Sequence, residues 1–273
     1  MNQPDTYILG THGEELERLR FQHQLWQPIA RAAWERADLR PGQRVLDLGA
    51  GPGFAAQDLA RAVGPSGRVL GLELSGDYVA TGQALARAEG LEQLELRQHN
   101  LLEDPLPQEA FHLVWCRWVA MFLPRVEPLL DQLPQALQPG GQALFHEYMH
   151  WDSFGLHPGG AAIRRFGAAV QHSFLQAGGD PDINRRLPSL LAARGLQIAE
   201  LRPLPVVGRS GSMAAQWLEA FVGVYSLQLQ RLGLWTSADA QAADAEIEAS
   251  RHDPGSYWVG PTVLELMATR WEH

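Results

Sequence analysis

The chain reads as an α/β protein built on a mostly parallel, doubly wound sheet. Short apolar runs alternate with amphipathic stretches throughout residues 41–150, the pattern of strands whose two faces are both covered by helices. The first such run, 45–48, ends at Gly49, Gly51 and Gly53 and gives way to an amphipathic stretch over 54–63, a strand–turn–helix unit. A length of 273 residues exceeds a typical domain but suits one α/β unit with insertions, and 45% apolar residues supply its core.

The elements follow in order. Residues 1–40 form a helical arm: Thr11 is placed to cap a helix with Glu14, and Leu16, Leu19, Leu25, Ile29 and Ala33 recur at roughly helical spacing. Residues 41–150 form a ligand-binding core, with strands expected over 45–48, 67–74, 94–98, 111–117 and on from the Pro139-Gly140-Gly141 turn to His150. Leu123-Pro124 begins a helix between the last two. Residues 151–273 are more helical. Asp180-Pro181 reads as a cap plus first helical position, opening a helix that ends at Gly195. A strand over 196–201, helices over 212–232 and 237–250, and a closing strand over 262–269 complete the chain.

The glycine turn indicates where a nucleotide-bearing ligand sits, since glycines let the backbone pass close beneath it and the next helix offers free N–H groups. A dinucleotide fingerprint would need glycine at position 54, where this chain has Phe54. An acid, Asp47, precedes the glycines inside the strand; it would repel a pyrophosphate and attract a sulfonium ligand carrying an ammonium group. Glu73 ends the second strand about 20 residues beyond the glycines, the spacing of a carboxylate that accepts from ribose hydroxyls.

The D-x-G-x-G-x-G pattern resembles the first motif of the class I methyltransferases, which bind S-adenosylmethionine (SAM). Glu73-Leu74, Asn100-Leu101, the strand at 111–117 and the L-x-P-G-G turn at 137–141 resemble that family's later motifs in order. The resemblance implies a seven-stranded sheet whose last strand inserts antiparallel between the fifth and sixth, with a helical arm and a helical lid insertion. It implies that Gly49, Ala50, Gly51 and Gly53 pass under the methionine moiety, with Asp47 at its ammonium group. Glu73 then takes the ribose, Leu74 an adenine face, Asn100 the adenine amino group with Leu101 beside it, and Tyr7, Trp26 and Arg117 close the site. The implied activity is methyl transfer to a small organic acceptor at oxygen, nitrogen or carbon. A nicotinamide-dependent oxidoreductase and a SAM-binding module without catalysis are the alternatives.

Aromatic residues concentrate in the arm (Tyr7, Trp26) and beyond residue 147 (Tyr148, Trp151, Phe154, Phe166, Phe174, Trp217, Phe221, Tyr225, Trp235, Tyr257 and Trp258), as a mostly apolar acceptor cavity would need. His146 and His150 follow the fifth strand at its mouth and are the candidate general bases. No metal site is expected, because His146, Glu147 and His150 lack a helical H-E-x-x-H spacing. A net charge of −9 with interspersed signs argues against nucleic acid or an anionic membrane as partner. The single cysteine, Cys116, and the lack of a signal or spanning segment fit a cytoplasmic protein. Lid helices of this kind could pair in a homodimer.

Overall fold

The computed structural model describes residues 13–108 and 110–271. Tyr7 and the capping Thr11 lie outside the described residues. A long helix α1 (Gly13–Arg36) leads into β1 (Arg44–Leu48), α2 (Phe54–Val63), β2 (Arg68–Glu73), α3 (Gly76–Ala88), β3 (Leu94–Gln98), β4 (Phe111–Arg117), α4 (Glu127–Ala136) and β5 (Leu137–His150). The second half runs through β6 (Gly155–His157), α5 (Ala161–Gln176), α6 (Leu187–Ala192), β7 (Leu196–Leu204), β8 (Val207–Arg209), α7 (Met213–Arg231), α8 (Ser237–His252), β9 (Tyr257–Val259) and β10 (Thr262–Arg270).

The main sheet has seven strands in the order β3-β2-β1-β4-β5-β10-β7. Neighbours from β3 to β5 pair in parallel, and β10 pairs antiparallel with both β5 and β7. This antiparallel closing strand, β10 between β5 and β7, is the one the family resemblance implies. β6, β9 and β8 form a small second sheet that the sequence reading does not contain. α7 and α8 start where expected because side chains cap them: Ser212 accepts from the Ala215 amide, and Thr236 with Asp239 makes a reciprocal capping box.

Two expectations are corrected. Asp180-Pro181 opens a turn rather than a helix: Asp180 Oδ1 accepts from the Asp182 amide, and helix proper begins only at Leu187 with Pro188 in its first turn. After Leu123-Pro124 the helix begins at Glu127, and a 3-10 turn, Ala120–Phe122, comes before the proline.

The core has two layers, one on each face of the sheet. Strand alternation sends Leu46, Leu48, Leu70, Leu72, Val114 and Phe145 to one layer, and Val45, Val69, Leu113, Trp115 and Leu144 to the other. α1 belongs to both, through Trp26 in the first and Ala30, Ala33 and Trp34 in the second. Over its described residues, from Gly13 on, the arm is therefore tied into the core through α1. The last turns of α1 are fixed in the core, and only its N-terminal half reaches the ligand cavity.

Candidate functional site

The strand order turns back between β1 and β4, and in open α/β sheets ligands occupy the crevice beyond the strand ends at such a point. A cavity of about 440 Å³ lies there. Its floor is the turn after β1. Gly49, Gly51 and Gly53 all have positive φ, at 64°, 56° and 79°. A Cβ on Gly49 would lie 2.3 Å from Val119 Cγ2, whereas a Cβ on Gly51 would meet nothing within 4 Å. Gly51 thus leaves open a space that any side chain would fill. Gly53 does not line the cavity. It caps α2 in a left-handed conformation and sits tight against Leu96, so its role is packing beneath the turn.

The polar end of the cavity gathers charges from neighbouring strands. Asp47 is buried, and its Oδ2 has no hydrogen-bond partner among the described residues. Burial raises its pKa to about 7, with Arg117 pulling down and Glu73 pushing further up. Glu73 is held by backbone amides: Oε2 accepts from Gly51 at 2.9 Å and Oε1 from Ser75 at 2.9 Å. Burial raises this carboxyl too, and those N–H groups oppose the rise. Two buried carboxylates on one cavity, one of them unpartnered, are an arrangement a cation relieves.

Arg117 lies over the rings of Trp115 and Trp118, 5.9 and 5.3 Å from their centroids. Its Nη2 donates to His23 Nδ1 at 3.3 Å, while Nη1 has no partner among the described residues. That bond leaves His23 Nε2–H to donate to Asp58 Oδ2 at 3.2 Å, a neutral ring consistent with the burial that lowers its pKa. Burial lowers Arg117 to about 10, against the pull of Asp47 and Asp58.

The far end is aromatic. Trp118, Tyr148, Trp151, Phe174, Trp217 and Phe221 line it. The Trp118 ring stacks on Tyr148 at 5.6 Å and on Trp217 at 6.1 Å, with Trp26 edge-on at 5.0 Å. Gln22 ties the roof together: its Oε1 accepts from Trp217 Nε1 at 3.0 Å and from Arg18 Nη1 at 3.1 Å, joining α7 to α1.

The structure brings Asp47, Gly49, Ala50, Gly51, Glu73, Leu74, Asn100, Leu101 and Arg117 to this one cavity. It places others elsewhere. Trp26 is wholly buried behind Trp118 and Trp217 and supports them from outside the lining. Asn100 lines the cavity, but its Oδ1 accepts from the Leu102 amide at 3.0 Å, so that oxygen serves a turn.

Neither histidine proposed as a base reaches the cavity. His146 is sealed inside the sheet, bonded through Nε2 to Glu265 at 2.9 Å and packed on Trp115. His150 lies beside Arg185 at 3.1 Å. Glu147, on the opposite face, anchors the 3-10 turn by accepting from Val119 and Ala120 amides at 2.7 and 2.9 Å. Among the described residues no cluster of acids, histidines or cysteines could hold a metal ion.

Three lining residues outside the expected set matter. His99 is buried, with Nε2 unpartnered among the described residues. Its signal was visible as a histidine directly before the Asn100 turn. His23 was readable only as one polar residue of the arm. Trp118, with φ 53°, carried no signal.

Residues 45–141 match a family model described as a methyltransferase domain. That segment runs from β1 into β5 and carries the parallel half of the main sheet together with the glycine turn. Demethylmenaquinone methyltransferase of Bacillus cytotoxicus is 31% identical over 45% of this chain and 51% of that protein. Glycine/sarcosine/dimethylglycine N-methyltransferase of Actinopolyspora halophila is 30% identical over 63% of this chain and 29% of that one. The chain spans about half the length, or less, of the curated relatives it matches. Among solved structures, geranyl diphosphate C-methyltransferase of Streptomyces coelicolor, in complex with S-adenosyl-L-homocysteine (SAH), superposes with a TM-score of 0.58. It shares 18% identity over 96% of this chain and 84% of that one, which shows a common fold.

Proposed function

We propose that the chain binds SAM in this cavity and transfers its methyl group to a small organic acceptor. The buried, unpartnered Asp47 carboxylate beside the glycine turn carries the reading. When bound, SAM supplies an electrophilic methyl group on a positively charged sulfur. Asp47 would pair with its ammonium group, and the free Nη1 of Arg117 is the matching donor for its carboxylate. Glu73 retains acceptor capacity for ribose hydroxyls, since a carboxylate offers about four acceptor sites and backbone amides do not fill them all. Leu74 and Leu101 offer apolar faces to the adenine. A dinucleotide would bring its pyrophosphate to the glycine turn beside the buried Asp47, which weighs against an oxidoreductase.

No acid or histidine belongs to the aromatic end, and burial raises the Tyr148 phenol so that it keeps its proton. Transfer therefore rests on positioning and exclusion of water, and the acceptor's proton leaves to solvent. One buried cysteine and a net charge of −9 support a cytoplasmic protein acting on small molecules rather than nucleic acid. No helix among the described residues is long and apolar enough to cross a membrane. Incubation with methyl-labelled SAM and a small-molecule extract should give a labelled product together with SAH. SAM bound with no labelled compound from any extract would leave a binding module instead.

A further inference from the structure

We propose that the acceptor is an uncharged, planar aromatic molecule held by ring stacking. Its placement rests on the transfer reading above, and its chemistry rests on the composition of the cavity. Every charged side chain of the lining comes from α1, from the ends of β1, β2 and β4, or from His99. The segments that follow Arg117 contribute none, and supply Trp118, Tyr148, Trp151, Phe174, Trp217 and Phe221. A diphosphate or an amino acid would bring charges to that end with no side chain to meet them, and stripping such groups of water is costly.

An apolar wall alone would accept an alkyl chain as readily as a ring. The geometry of this wall favours the ring. Trp118 has φ 53°, a conformation a bulky side chain rarely adopts, and its amide donates to the His146 carbonyl at 3.1 Å. This strained residue aims the indole between Tyr148 and Trp217, at interplanar angles of 23° and 22°, while Arg117 covers it from the polar end. Near-parallel rings from β5, the loop after β4 and α7 make a fixed platform. Trp151 stands edge-on to Tyr148 and Phe174 at 5.3 and 5.8 Å, adding ring edges beside the faces. A rigid wall of rings complements the quadrupole of a flat aromatic ligand, which a saturated ring lacks.

Three probes of matched skeleton test this by calorimetry on the SAH-loaded protein: 2-naphthol, 2-naphthyl phosphate and decahydro-2-naphthol. The proposal predicts that 2-naphthol binds at least about tenfold more tightly than either of the others. Phe221→Leu keeps an apolar side chain there and removes one ring, and should narrow the gap between 2-naphthol and its saturated counterpart. Equal or tighter binding of the phosphate, no preference for the aromatic ring, or no binding of 2-naphthol would overturn the proposal. Failure of SAH itself to bind would instead sink the cofactor reading. The same three probes titrated into the ligand-free protein would then decide the acceptor chemistry alone.

Discussion

Asp47 and Glu147 are both carboxyls buried until their pKa reaches about 7, yet one faces a cavity and the other a turn. An ammonium ligand binds the ionised form of Asp47, so SAM affinity should fall as pH drops below about 7, by up to roughly tenfold per pH unit. Asp47→Asn should bind weakly and lose that pH dependence; a wild-type profile flat between about pH 6 and 8 would contradict the assignment. Glu147 behaves differently. Its desolvated carboxyl holds a proton more tightly folded than unfolded, so its contribution to stability is complete below the unfolded pKa of about 4.3 and lost as pH rises through about 7. Glu147→Gln keeps an oxygen for the Val119 and Ala120 amides and should gain about 1–2 kcal/mol over the parent at about pH 8, with little difference near pH 4. Urea unfolding at the two pH values measures this; a loss at pH 8 would mean the ionised group is well solvated. Asp47 and Glu73 were legible because one lies inside an apolar run and the other ends one, each at a set distance from the glycines. His146 was misread because strand alternation gives the face but not the surroundings. Its partner, Glu265, arrives from 119 residues further along the chain.

At the scale of elements, the turn after β1 and helix α1 can be separated by substitution. Gly51→Ala places its methyl group in open cavity, so it should weaken SAM binding at least about tenfold while costing only about 1 kcal/mol of stability. Gly49→Ala drives a methyl into Val119 and should cost about 1–3 kcal/mol more. Calorimetric binding beside thermal unfolding distinguishes the two. Trp34, 2% exposed and edge-on to Trp115 at 5.5 Å, marks α1 as core. Trp34→Ala should cost about 3–5 kcal/mol; a cost near zero would restore α1 as a separable arm. α7 and α8 were legible from their caps and α2 from its periodicity. α5 was not, because it starts at Gly160 without a side-chain cap and Gly167 and Ala168 dilute its apolar stripe.

At the scale of the molecule, the polar half of the site followed from the strand–glycine–helix unit and its spaced acids, and the place of the closing strand from the family resemblance. The aromatic half was legible only as a surplus of rings in the right segments. Which of them face the cavity depends on how α1, α5 and α7 pack across the sheet, and local sequence does not carry those contacts. Phe166, Tyr225 and Trp258 accordingly lie in the core, whereas Trp217 and Phe221 line the cavity. The central claim joins the two halves: a cavity with an anionic floor that accepts a sulfonium nucleotide. Titration calorimetry of the wild-type protein at about pH 8 with SAM, and separately with NAD, tests it most directly. The account predicts one SAM site of micromolar or tighter affinity that Asp47→Asn weakens at least about tenfold, with no NAD binding. Binding of NAD in preference to SAM, or SAM affinity indifferent to Asp47→Asn, would contradict it.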